Sequence, residues 1–333
     1  MPELPEVETT VRGLRKYVVG KTITDFWCDW PNMIRYTTPA TLGKLISGSK
    51  IVAVRRRAKH ILIDLKSQNK RETNKTLVIH MKMTGHLLYG QYKRCNEQSA
   101  RSNLQTWRAV GAGPLRDDPY NRFIHAIWTL VPASLPLRQG FAGQARLRGA
   151  KMHLAFSDMR KFGRIALHDT HNLYNAKELE NLGPELWDLD VNRFIAIYLP
   201  NNKTGRTTSR GTIKQKLLDQ RLLAGVGNIY ADESLWASGI HPLSRPSQVP
   251  KAKLSELFRA LVSITKQSLK TGGDSMSDYR NVDGEGGRFQ NFHKAYKQTG
   301  KPCTKRGCKG IIKRIVVSMR GTHYCPKHQI LYA

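Results

Sequence analysis

KIVAVRRRAKHILIDL, residues 50–65, is a run of β-branched and aliphatic residues broken once by a polar, basic stretch. Branched side chains of this kind fit the pleated, half-buried surface of a strand. The segments on either side have the same character: KTITDFWCDW at 21–30 and KTLVIHMKMTGHLLYG at 75–90. Residues 22–90 therefore predict a strand-rich region. Toward the N-terminus, Val7, Val11, Leu14 and Val18 recur at helical spacing and predict an amphipathic helix over 3–18, stopped by Gly20. Toward the C-terminus, residues 91–124 are polar and predict irregular structure. HAIWTLV at 125–131, KMHLAFSD at 151–158 and GRIALHD at 163–169 resume the strand pattern. The Gly-, Arg- and Gln-rich stretch at about 132–150 offers little for a core and reads as a mobile insertion joining two strands.

Near residue 172 the pattern changes. Residues 175–200, 211–222 and 251–270 carry helix-like apolar spacing, and AGVGNIYADESLWASGI at 224–240 reads as a tight turn leading into a helix. A Gly-rich loop follows at 272–289. The fold class is α+β, in three parts: a β-rich domain over 1–171, a helical domain over 172–292 and a small cysteine-containing module over 293–333.

The formal net charge is +30. Such an excess repels itself unless an anionic partner offsets it, and nucleic acid is the first candidate. A membrane partner is not expected. The sequence has no uninterrupted apolar run of about 18 residues, and no basic amphipathic helix rich in Trp and Phe. MPELPEVETT at 1–10 is acidic and lacks the basic-then-apolar pattern of a signal peptide. Five cysteines, three of them close together near the C-terminus, suit a reducing cytoplasm and a metal site better than a disulfide framework.

Cys303 and Cys308 form a C-x4-C pair, and Cys325 and His328 a C-x2-H pair, with IIKRIVV and THYC between them as two hairpin strands. Two ligand pairs flanking a hairpin are what a tetrahedral Zn2+ ribbon requires, and a module this small needs the metal to fold. His323 is a rival for the fourth position. Arg320 falls at the hairpin tip, where it either reaches a phosphate or is a solvated turn residue.

Pro2 and Glu3 read in two ways. Both are ordinary at a helix start. Alternatively, once Met1 is removed, Pro2 carries a free secondary amine. An α-amino group near its ordinary pKa of about 8 is partly neutral in the cell and can attack a sugar C1′ to form an iminium. A neighbouring carboxylate, Glu3, can then shuttle protons.

Six blocks occur in order: MPELPEVETTVRGL at 1–14, RRRAKHILIDL at 55–65, VIHMKMTGHL at 78–87, SDMRKFGRI at 157–165, IKQKLLDQRLLAGVGNIYADESLWASGIHP at 213–242 and GTHYCP at 321–326. Together they resemble the bacterial formamidopyrimidine-DNA glycosylases over nearly the whole chain except about 91–150. The resemblance implies an N-terminal β-sandwich, a helix–two-turn–helix domain and a C-terminal zinc-ribbon hairpin. It implies a base-excision-repair enzyme that removes oxidised purines from double-stranded DNA and then cleaves abasic sites, acting as a monomer with one structural zinc. Leu4 separates this chain from the related endonuclease VIII type, which has Gly there and prefers oxidised pyrimidines. A DNA-binding protein without catalysis is the reading from another class, and retention of Pro2, Glu3, Lys59 and Arg320 weighs against it.

By the same resemblance Pro2 is the Schiff-base nucleophile, Glu3 the proton donor and acceptor, Lys59 a contact to the lesion strand that assists β-elimination, and Arg320 a lesion-phosphate ligand serving δ-elimination. Glu6 organises the pocket around Pro2, Asn228 binds phosphate, and Arg210 supplies a basic contact before Ile213. Met83, Arg160 and Phe162 match the wedge that fills the space left by an extruded base, with Lys161 where a second Arg is common. Extrusion costs a few kcal/mol, which an apolar filler and a hydrogen bond to the orphaned base offset. From the residues alone, Lys59 is a solvated basic residue, Asn228 sits in a helix-joining turn, and Met83 and Phe162 belong to the core. Ala58 stands where the family often has Gly. The loop at 272–289 matches the family's lesion-capping loop.

Overall fold

A computed structural model of the chain describes residues 2–69, 73–99, 102–111, 113–132, 151–198, 211–276 and 278–333. Arg210 and nearly all of the insertion expected at about 132–150 lie outside the described residues. The chain divides into two compact units. One comprises 1–2, 6–176 and 274–287, the other 3–5, 177–273 and 288–333.

In the first unit, α1 (Leu4–Val18) is followed by β1 (Lys21–Cys28), α2 (Pro39–Ile46), β2 (Lys50–Arg57), β3 (His60–Lys66), β4 (Lys75–His80) and β5 (Gly85–Gly90). Then come β6 (Tyr92–Ser99), β7 (Ser102–Ala109), the single turn α3 (Pro114–Asp117), β8 (Ile124–Pro132), β9 (Met152–Asp158) and β10 (Arg164–Asp169). One antiparallel sheet runs in the order β10-β4-β3-β2-β1-β8-β9-β5. Its two four-stranded halves meet at a single residue pair, Thr22 with Lys50. Ile63, Leu77 and Ile165 of one half share a buried cluster with Trp128, Leu154 and Phe156 of the other. The halves thus close face to face as a β-sandwich. Val7, Val11, Leu14 and Val18 of α1 enter the same core, as their spacing predicts.

The region 91–124 is more ordered than its composition predicts. β6 and β7 pair from Tyr92–Ala109 to Ser99–Ser102. Tyr92, Trp107 and Ala109 at the base of this hairpin pack beside Leu88, Ile127 and Leu115. Its sequence beyond the base, at 93–99 and 102–106, lacks the alternation that marks a strand.

The second unit contains α4 (Val191–Tyr198), α5 (Ile213–Leu218), α6 (Asn228–Ser238), α7 (Lys251–Lys270), β11 (Lys313–Val317) and β12 (Arg320–Tyr324). The helix expected over 175–200 is confined to α4. Short 3-10 turns precede it, and Gly183-Pro184 interrupts any longer helix. The helix expected over 211–222 is likewise shortened to α5. Thr212 starts it with a capping box to Gln215. α6 ends on Gly239 in the left-handed conformation. Phe194, Tyr198, Leu217, Leu235, Leu257 and Leu261 form the core of this unit. No helix among the described residues is long and apolar enough to cross a membrane.

Candidate active site, wedge turns and metal centre

The N-terminal residues are seated in the turn between α5 and α6. Leu4 donates its N–H to the Gly225 carbonyl at 3.1 Å, and Glu3 Oε1 accepts the N–H of Ile229 at 3.2 Å. Glu3 is 2% exposed, and it meets the N-terminus of α6, where peptide N–H groups lack helical partners. Two glycines make this seating possible. A Cβ on Gly225, whose φ is +99°, would stand 2.6 Å from Leu4 Cδ1, and one on Gly227 would stand 2.6 Å from Glu3 Oε2. Both glycines are thus required by contacts within the protein itself. Pro2, next in the chain, is buried.

The same turn is tied to the C-terminal hairpin. Asn228 Nδ2 donates to the Gly321 carbonyl at 2.9 Å. Beneath it lies a charged network that sequence reasoning missed. Lys214, wholly buried on α5, pairs with Asp232 Oδ1 of α6 and donates to the Asn228 carbonyl at 3.2 Å. Asp232 Oδ2 accepts the N–H of His323 at 2.9 Å and faces its Nδ1 at 3.1 Å. Burial pushes the Lys214 ammonium below its ordinary pKa, against the opposing pull of Asp232 and Glu3. Glu233, the next residue, accepts the N–H groups of Lys294, Ala295 and Tyr296 at 2.7–2.9 Å. Arg320, the first residue of β12, is exposed beyond a two-residue turn in which Ser318 and Met319 have φ of 50° and 58°. Positive φ at both positions is the type I′ geometry that matches strand twist.

In the first unit, Lys59 sits in the tight turn between β2 and β3, where Arg57 pairs with His60. Ala58 has φ of 51°, a left-handed conformation that glycine adopts at less cost. Lys59 is buried and, with His60 and Lys82, acts electrostatically on His80. His80 Nδ1 accepts the N–H of Lys82 at 2.9 Å. Removal from water pushes the His80 imidazole well below its ordinary value, with His60, Lys82 and Lys59 acting in the same direction.

Met83 and Phe162 are not core residues: they are 40% and 43% exposed. Arg160 lies between them, its Nη1 3.5 Å from Met83 Sδ and its guanidinium 4.8 Å from the Phe162 ring centroid. Lys161 adopts φ of 57° and turns toward Trp30, with Nζ 4.3 Å from the ring. Glu6 is buried. Its Oε1 accepts the N–H of Asp274 at 2.8 Å and its carbonyl accepts the Tyr279 hydroxyl at 2.9 Å, so it anchors one end of the Gly-rich loop.

Cys303, Cys308, Cys325 and His328 place their ligand atoms within 4.8 Å of one another. The Cys303 Sγ–His328 Nδ1 separation is 3.3 Å and the Cys308 Sγ–Cys325 Sγ separation 3.6 Å. These are close to the edges of a tetrahedron with metal–ligand bonds of about 2.0–2.3 Å. The outer groups fit too. His328 Nε2 meets the Trp236 carbonyl at 2.9 Å, while Trp236 Nε1 and the Gly310 N–H each donate to a cysteine sulfur at 3.3 Å. A Cβ on Gly310 would stand 2.5 Å from Cys325 Sγ. These four residues can hold a metal ion. His323 does not join them, being committed to Asp232.

The first 165 residues match the model of the formamidopyrimidine-DNA glycosylase N-terminal domain, and 196–280 match the helix–two-turn–helix domain of the same enzymes. Formamidopyrimidine-DNA glycosylase from Cereibacter sphaeroides is 32% identical over 329 residues, 99% of this chain and all of that protein. The one from Herpetosiphon aurantiacus is 34% identical over 328 residues, 98% of each chain. The chain belongs to the formamidopyrimidine-DNA glycosylase family. Solved members of the family superpose on it throughout. A Lactococcus lactis Fpg mutant in complex with Fapy-dG-containing DNA gives a TM-score of 0.72 at 28% identity, covering 98% of both chains. Lactococcus lactis Fpg with abasic-site DNA gives 0.71 at 27%, covering 97% of this chain and 98% of that one. Residues 293–333 fall outside both glycosylase domain models, but inside the full-length likeness.

Proposed function

We propose that this chain is a base-excision-repair DNA glycosylase that removes oxidised purines from duplex DNA and cleaves the resulting abasic site by β,δ-elimination through Pro2. The observation that carries the reading is the seating of residues 3 and 4 in the turn before α6, in a chain of this family. With Met1 removed, the Pro2 nitrogen is a secondary amine whose neighbour, Glu3, is held by a backbone hydrogen bond. The amine attacks C1′ and the base departs. Glu3 protonates the ring oxygen as the sugar opens, leaving an iminium on Pro2. The iminium acidifies the 2′ proton, whose removal expels the 3′ phosphate. A second elimination expels the 5′ phosphate and leaves a one-nucleotide gap. Lys59 assists the first elimination and Arg320 the second.

DNA contacts divide by role. Arg320, Asn228 and Arg210 take phosphates, and Lys161 adds charge beside Trp30. Met83 and Phe162 fill the space left by the extruded base, and Arg160 bonds the orphaned partner. Glu6 holds the lesion-capping loop at its base. The four-ligand cluster binds one structural Zn2+, and residues 293–333 act as a finger module.

A lesion panel tests the reading. Duplexes carrying 8-oxoguanine or a formamidopyrimidine should be incised to a gap with phosphate at both ends. Faster incision at oxidised pyrimidines would favour the endonuclease VIII type instead. Binding without incision of any lesion would leave a DNA-binding protein.

A further inference from the structure

Met83, Arg160 and Phe162 stand on two turns far apart in sequence, residues 81–84 after β4 and 159–163 between β9 and β10. The turns are joined beneath the surface by Thr84 and Asp158. Thr84 Oγ1 accepts the N–H of Arg160 at 3.0 Å and donates its proton to Asp158 Oδ1 at 2.5 Å. Asp158 Oδ2 accepts the N–H of Gly163 at 2.6 Å, and the Asp158 carbonyl accepts that of Lys161 at 3.1 Å. Thr84 is 5% exposed and Asp158 is 0% exposed. The Phe156 ring locks the same junction. A Cβ on Gly85 or on Gly163 would stand 2.7 or 2.6 Å from its Cζ. Each turn also carries a non-glycine residue in the left-handed region, Lys82 with φ 54° and Lys161 with φ 57°. Such backbones persist only where surrounding bonds hold them.

We propose that Thr84 and Asp158 are positioning residues that fix the two turns as one body, so that Met83, Arg160 and Phe162 meet the vacated stack in a single preset arrangement. The proposal rests on reading those three as the wedge. The hydroxyl proton of Thr84 is committed to Asp158, so its lone pair is left for the Arg160 N–H, and this one hydroxyl bonds to both turns at once. Discrimination of the opposite base therefore depends on a hydroxyl that does not touch DNA.

The test is single-turnover excision of 8-oxoguanine opposite cytosine and opposite adenine, beside incision of a ready-made abasic site, all with the full-length metal-loaded protein. Thr84→Val removes the hydroxyl at nearly constant volume, and Thr84→Ser keeps it. Thr76→Val is the control, since Thr76 is also buried and donates to Asp64 at 2.8 Å in the same sheet. Thr84→Val should slow excision opposite cytosine about tenfold, the worth of one or two buried hydrogen bonds, and narrow the cytosine preference by a similar factor. Abasic-site incision should stay within about twofold, and Thr84→Ser should behave as wild type. Thr76→Val should lose stability but keep the preference. If Thr84→Val does not fold, Asp158→Asn, which leaves one acceptor oxygen where two now serve Thr84 and Gly163, carries the same expectations.

A folded Thr84→Val protein that keeps its preference overturns the proposal. So does a Thr84→Ser protein as impaired as Thr84→Val, or a Thr76→Val protein that loses the preference equally. Arg160→Ala and Met83→Ala, assayed alongside, separate the two levels. If they leave the preference intact, the wedge reading itself fails. If they narrow it while Thr84→Val does not, only the coupling fails.

Discussion

Asn228 donates from Nδ2 to the carbonyl oxygen of Gly321 at 2.9 Å, joining the first residue of α6 to the second residue of β12. That amide nitrogen has a second hydrogen, and Arg320 is the immediate neighbour of Gly321. Asn228 thus tethers the strand that begins with Arg320.

Affinity and salt dependence should respond differently at these two positions. Arg320→Ala should weaken binding and reduce the slope of log K against log salt by about 1, because one phosphate contact no longer releases a counterion. Asn228→Ala should weaken binding with little change in slope, since a neutral donor releases none. Because Asn228 also tethers β12, the double variant should lose less than the sum of the two losses. Filter binding or anisotropy over a salt series measures all three.

The Lys214–Asp232–His323 network makes a stability prediction. Asp232→Ala leaves the buried Lys214 ammonium without its partner and removes the acceptor for His323. Breaking such a pair from one side costs about 3–5 kcal/mol. Urea denaturation should show that loss. A loss of under about 1 kcal/mol would mean that the pair behaves as an exposed one.

Metal retention should follow the cluster geometry. His328→Ala should lower bound metal and loosen the finger, because His328 Nδ1 faces Cys303 Sγ. His323→Ala should keep the metal, since its ring faces Asp232. Chelation should unfold residues 293–333, which bury too little apolar surface to fold alone. Metal content by mass spectrometry, with proteolysis of the hairpin, distinguishes these outcomes.

Stability should fall as pH drops below neutrality. The folded state holds His80 well below its ordinary value of 6.5, mainly through burial. The unfolded chain therefore takes up this proton first. Stability is fully present above the unfolded value and is lost as pH falls toward the folded one, at no more than about 1.4 kcal/mol per pH unit for one group. Thermal melts between pH 7.5 and 5.5 should show a shallower decline in His80→Asn. An equal decline in both proteins would remove His80 as a contributor.

Much of this was legible in the residues. Val7, Val11, Leu14 and Val18 announce α1 because one face of it is buried, and runs of β-branched and aliphatic residues announce most of the sandwich strands, whose residues are buried almost continuously. The Cys303, Cys308 and Cys325 cluster follows from cysteine spacing, while the choice of His328 over His323 came only with the structure. The β6–β7 hairpin was hidden because its sequence beyond Tyr92, Trp107 and Ala109 carries little apolar alternation. Lys214 and Asp232 were hidden for the opposite reason. Charged residues on a short helix read as solvent-facing, and only their mutual pairing, from two helices, permits burial. Asp158 and Thr84 escaped notice because their role lies in bonds across 74 residues of sequence.

The central claim is imine chemistry at Pro2, and borohydride trapping tests it most directly. Protein shown by intact mass to lack Met1 is incubated with a duplex carrying 8-oxoguanine opposite cytosine, beside Pro2→Gly and Glu3→Gln. The account predicts a covalent protein–DNA band that requires both lesion and borohydride and weakens sharply in each variant. No band, alongside tight binding to the same duplex, would contradict it and leave a protein that binds damaged DNA without cutting it.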